Sequence, residues 1–155
     1  MLSVIRSENY LTGPFWDGVH GRAPIPPAAK TLGFEFLSHD KESATTCVAF
    51  TAPHEFTNPA GNVLGAFLAA MLYDTVGPAL LATLEPDQFQ STLDIHTTFH
   101  SPVRPGRILG TGRVVDRRGD MADLDAVLTT EDSVRIASAT ATARVIPLTD
   151  AKDAV

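Results

Sequence analysis

The chain has 155 residues, 44% apolar and 19% charged, a composition that suits one globular domain and excludes a disordered tract or a two-domain enzyme. Eighteen acidic against twelve basic residues leave a net charge of −6 with no Lys/Arg cluster, so the electrostatic footprint needed to hold a nucleic-acid backbone is missing. The single cysteine, Cys47, excludes an intramolecular disulfide and a thiolate metal cluster and fits a reducing, cytoplasmic setting.

The first ten residues carry charges within their first eight positions and lack an apolar stretch of secretory length. Residues 1–13 and 149–155 read as flexible arms. Between them, Pro14, Pro24, Pro26 and Pro27 restrict helix to short turns at 15–19 and 27–31, a lid-like segment. Residues 32–37 and 43–52 alternate in type, with Ala44, Thr46, Val48 and Phe50 on one side, and predict a hairpin joined across His39-Asp40-Lys41.

After a loop, the first ten residues of 63–76 are all apolar or glycine, which predicts a helix with no face for water. Gly77-Pro78 is expected to stop or kink it before a short second piece over 78–84. Asp74 and that dipeptide interrupt the apolar stretch, which therefore reads as a buried helix and not as a membrane span. Runs at 90–100, 107–116, 121–129 and 134–146, separated by turn residues, predict four strands in a meander. In the last of them Ala137, Ala139, Ala141 and Ala143 share one side, so another element can approach closely. The whole predicts a single α+β domain over residues 1–155, an antiparallel sheet wrapped around one long central helix.

Within that helix the sharpest feature is Asp74, the one ionisable group other than a tyrosine between residues 62 and 84. A carboxylate buried there must be satisfied by hydrogen bonds or face a cavity with its pKa pushed upward, as a general base requires. Alternatively Asp74 caps a helix piece starting near Pro78, or bonds Thr75 or Tyr73 locally. The helix opens at Gly61-Asn62-Val63-Leu64-Gly65, where free backbone N–H groups and the helix dipole could hold an oxyanion. Nine residues separate Gly65 from Asp74, about 13.5 Å along a helix, too far for both to touch one carbonyl. If both serve one reaction, two subunits must build the site.

The stretch Asn58-Pro59-Ala60-Gly61-Asn62-Val63-Leu64-Gly65-Ala66, running on to Leu72, resembles the signature of the hot-dog-fold thioesterases, specifically the PaaI-like acyl-CoA thioesterase branch. Thr92 to Phe99, Ser101-Pro102 and Pro105-Gly106 resemble that family's next strand and turn, and the likeness runs from about Pro24 to Ile146. The resemblance implies hydrolysis of an acyl-CoA thioester by water activated at a dimer interface, in a homodimer or a dimer of dimers. No cofactor is implied beyond the coenzyme A of the substrate, and neither nucleic acid nor membrane is an implied partner. Gly65 would supply an oxyanion N–H, Asn58 would orient the thioester or the acid, and Thr92 would hold the attacking water. Leu64 stands where the family has His or Gln, Ala66 replaces its second glycine, and Tyr73 occupies the usual carboxylate position with Asp74 one residue later. Asp74 would then be the base, with Tyr73, Leu64, Ala66 and Gly61 lining the substrate site. An alternative is an acyl-CoA or lipid-binding protein that lost catalysis with the acid at 73.

Arg117 and Arg118, with Arg104, Arg107 and Arg113, stand near strand turns where they could meet coenzyme A phosphates or simply be solvated. Asp94, His96 and His100 share a strand face, but positions i and i+4 of a strand lie about 13 Å apart, too far for one metal ion. No GxSxG, P-loop or GxGxxG pattern occurs.

Overall fold

The computed structural model describes residues 11–155. Two short helices, α1 (Pro14–Val19) and α2 (Pro27–Thr31), each start with proline in the first turn, where its missing N–H costs no helical bond. Gly33, at φ +66, closes α2 as the Phe34 N–H bonds Ala29 O at 2.9 Å. Strand β1 (Glu35–Asp40) therefore begins later than the alternation over 32–37 suggested. Likewise Ala44 takes a left-handed turn conformation at φ 51, so β2 (Thr45–Ala52) starts one residue beyond it.

The central helix, α3 (Gly65–Leu81), runs unbroken through Gly77-Pro78, which corrects the expected stop. A mid-helix proline removes one backbone bond and costs about 3 kcal/mol. Burial of Pro78, Ala79 and Leu80 offsets it. One face of α3, carrying Leu68, Met71, Leu72, Thr75, Val76, Ala79 and Leu80, is buried on the sheet. There Gly110 and Gly112 let it sit close: a Cβ at Gly112 would lie 2.7 Å from the Thr75 carbonyl oxygen and 3.0 Å from the Ala79 Cβ.

Strands β3 (Gln88–Phe99), β4 (Gly106–Arg118), β5 (Met121–Thr129) and β6 (Arg135–Pro147) complete a six-stranded antiparallel sheet in the order β1-β2-β4-β5-β6-β3. Only β4, β5 and β6 form a meander; β3 pairs with β6 at the far edge, which corrects the expected four-strand succession. Asp94, His96 and Thr98 on its outer side are exposed. The alanines at 137, 139, 141 and 143 are buried toward α3, as their spacing predicted. Residues 149–153 lie in a 3-10 turn (Leu148–Asp153), and the Val155 N–H bonds Ser91 Oγ at 3.1 Å, so the C-terminal arm lies along β3. The arm expected over residues 1–10 falls outside the described residues.

Candidate active site

A second face of α3 looks into the gap between the two sheet edges. Tyr73, Asp74, Gly77, Pro78 and Leu81 lie on it and form one wall of a cavity of about 380 Å³. The opposite wall is Phe34 and Phe36 from the β1 side, and Gln90 reaches in from β3. Phe15, Gly18 and Val19 of α1, with Ile25 and Pro26 of the following link, close the top.

Asp74 Oδ2 is buried and finds no hydrogen-bond partner among the described residues. Burial alone pushes its pKa from the usual carboxylate range up to about 7. The local-bond and cap alternatives thus fall away: the helix has no new start at Pro78, and the Thr75 hydroxyl donates to Met71 O at 2.7 Å instead. The Tyr73 hydroxyl is also buried without a partner, and it lines the same cavity. Two unsatisfied polar groups on adjacent helical residues, facing one apolar cavity, are what a site awaiting a polar ligand presents.

Gly65 begins α3. No side chain caps the helix, and the N–H groups of Gly65 and Ala66 find no acceptor among the described residues. The Phe99 ring lies over Gly65, where a Cβ would be 3.3 Å from it. Asn58 Oδ1 accepts the N–H groups of Ala60 at 3.0 Å and Asn62 at 3.1 Å. It shapes the loop into α3, and Arg104 clamps that loop by donating to Ala60 O at 3.0 Å beside Gly61, whose φ is +82. Leu64 and Ala66 are exposed beside Gly65. Thr92 is buried and donates to Gln90 Oε1 at 3.3 Å, so Gln90, and not Thr92, meets the Asp74 cavity.

The structure thus brings Asp74 and Tyr73 together, and Gly65, Leu64, Ala66, Gly61 and Asn58 together, about two and a half helical turns apart. Of Arg104, Arg107, Arg113, Arg117 and Arg118, the first stands at the Gly61 loop through its bond to Ala60 O, and the others are bonded to other partners. Arg118 is held by Asp116 at 2.7 Å and by Asp123, and Arg107 and Arg113 pair with Glu35 and Asp125. Arg117 donates to Gly119 O at 2.7 Å and lines a separate cavity with Trp16, His39 and Lys41. Sequence reasoning missed Gln90, Phe15 and Gly18. For Gln90 the signal was present, a polar residue on the inward side of a strand; for α1 the prolines marked a lid-like segment, but short turns between prolines do not show which residues face a cavity.

A family model described as the thioesterase superfamily matches residues 60–137, the helix and the strands around it. The chain belongs to the thioesterase superfamily. The phenylacetic acid degradation-related protein of Ralstonia eutropha JMP134 is 33% identical, with a TM-score of 0.80 over 84% of this chain and 98% of that one. That likeness places this superfamily member in the PaaI-like branch, and its sheet around one helix is the hot-dog fold. Escherichia coli PaaI, from the phenylacetic acid degradation operon, shares the fold at 16% identity, with a TM-score of 0.75 over 85% of this chain and 93% of that one. So does smu.793 of Streptococcus mutans UA159, solved bound to acetyl CoA, at 20% identity and a TM-score of 0.66 over 74% and 89% of the two chains. Among curated proteins none matches the chain.

Proposed function

We propose that this thioesterase-superfamily member hydrolyses an acyl-CoA thioester, with Asp74 as general base and with Gly65 of a second copy supplying the oxyanion N–H. The observation that carries the reading is the unpartnered Asp74 carboxylate, held near a pKa of 7 in an apolar cavity. Such a group is ionised often enough at neutral pH to take a proton, and basic enough to want one. Water attacks the thioester carbon and gives its proton to Asp74, while the carbonyl oxygen gathers charge against the amide donors. The C–S bond then breaks, the thiolate of coenzyme A recovers the proton from Asp74, and the free acid leaves. The Tyr73 hydroxyl hydrogen-bonds the thioester carbonyl before attack.

Support for the second copy comes from two features. Gly65 and Asp74 stand about 13.5 Å apart on one unbroken helix, beyond the reach of a single carbonyl. Leu64, Leu93 and Phe99 are 43%, 50% and 52% exposed around the start of α3 and along the unpaired edge of β3, an apolar margin that a second protomer would cover. Thiol release from a panel of acyl-CoAs, measured beside Asp74→Asn, tests the reading. Hydrolysis by the parent and its loss in the variant are expected; saturable binding of acyl-CoA without turnover by the parent would contradict it.

A further inference from the structure

The cavity over Asp74 is closed by a part of the chain that lies before the stretch matching the family model. Its roof is α1 and the link to α2, its sides are Phe34 and Phe36, and its floor is α3. At about 380 Å³ it sits near the bottom of the ~300–1,000 Å³ range that drug-sized ligands fill. Apart from Tyr73, Asp74 and Gln90, the one polar side chain in the lining is Glu35, which pairs with Arg107 at 2.8 Å on the exposed side. With Glu35 paired, the unpaired acid Asp74 and no cation line the space, so a negatively charged acyl group would find no counter-charge there.

Gly18 stands in the roof, on α1. A Cβ there would meet only Ile25 Cγ2, at 3.9 Å, which is ordinary contact with another roof residue. Its φ is not in the left-handed region, so larger side chains can be built at this position without straining the helix. The roof is open here because the side chain is absent, not because the backbone demands glycine.

We propose that the segment from Pro14 to Thr31 selects the acyl group, with Gly18 as its size gate, and that the site takes a compact, uncharged acyl group, one ring or a medium-length chain, that shares the cavity with the thioester and the attacking water. The proposal rests on the thioesterase reading for which chemical group enters, and on the cavity alone for its size. Acetyl-, benzoyl-, octanoyl-, succinyl- and hexadecanoyl-CoA are compared by thiol release in the parent, Gly18→Ala and Gly18→Leu. In the parent, octanoyl or benzoyl is expected to exceed both succinyl and hexadecanoyl by about tenfold or more in kcat/KM. The octanoyl-to-acetyl ratio should fall modestly in Gly18→Ala and by about tenfold in Gly18→Leu. Because it compares two substrates on one preparation, that ratio is insensitive to any loss of folded protein. Hexadecanoyl turned over as well as octanoyl, or a ratio unmoved by leucine, would overturn the proposal. If no thioester is cleaved, the hydrolase reading falls by itself, and calorimetry with the uncleavable S-octyl and S-hexadecyl thioethers of coenzyme A decides the size gate. Tighter binding of the octyl compound that weakens in Gly18→Leu upholds it, whereas equal affinities in the parent overturn it.

Discussion

At position 74 a buried carboxylate oxygen makes no hydrogen bond among the described residues, and the proton becomes its most favourable partner. Its folded-state pKa, about 7, lies above the ordinary 3.8, so the folded chain keeps a proton that the unfolded chain releases between those values. The stabilising share of Asp74 is therefore complete below about pH 4 and is lost as pH rises through 7. Asp74→Asn should unfold at the same denaturant midpoint as the parent near pH 4, yet be more stable by on the order of 1–3 kcal/mol near pH 8. A parent that stays equally stable relative to the variant at both pH values would count against the buried charge. In catalysis the sign reverses, since the base must be ionised: kcat/KM should climb with pH to a plateau, with a midpoint near 7. The asparagine variant should lose about 10²–10⁴-fold in rate together with that limb of the profile. Tyr73→Phe deletes a buried hydroxyl that has no partner, so it should leave stability unchanged or raised by about 1 kcal/mol while lowering kcat/KM by about tenfold. A lone acid in an apolar run can be read from sequence by contrast with its neighbours. The commitment of Asn58 to its own loop cannot, because an Asn offers the same oxygen to a ligand and to the backbone.

Among the elements, α3 shows how packing outvotes local propensity. Gly77-Pro78 is a strong stop signal, yet the helix continues for three residues beyond it, to Leu81, because the sheet already holds its far end. The seat is made by what β4 lacks. Gly110→Ala would place a Cβ 2.7 Å from Thr75 Oγ1, and Gly112→Ala the same distance from a backbone oxygen that cannot rotate away. Each should lower stability by about 1–3 kcal/mol in chemical denaturation, with the Gly112 variant the worse of the two; a neutral Gly112→Ala would show that α3 is seated more loosely. Strand alternation made β5 and the alanine face of β6 legible to the residue. The starts of β1 and β2 moved because Gly33 and Ala44 adopt left-handed turn conformations, which an alternating pattern does not reveal.

For the whole molecule, the order of two strands, a helix and four strands was enough to foresee a sheet wrapped around a helix. The position of β3 was not, because pairing across the sheet is decided by contacts distant in sequence, in this case with the small-residue face of β6. Its place at the edge leaves one side of a long strand unpaired near the apolar Leu64, Leu93 and Phe99, the margin that a second copy would cover. Leu93→Lys should shift the protein toward monomer in sedimentation and lower hydrolysis in step with the dimer fraction. The most direct measurement mixes two inactive variants. Asp74→Asn lacks the base. Gly65→Pro lacks the amide donor, yet proline suits the first helical position, and Leu64 before it is already extended at ψ 135. Each alone should be inactive. Refolded together in equal amounts they should recover about a quarter of parental activity, because half the dimers are mixed and each mixed dimer carries one intact site of two. No recovery from a mixture shown to contain mixed dimers would contradict a site shared between protomers.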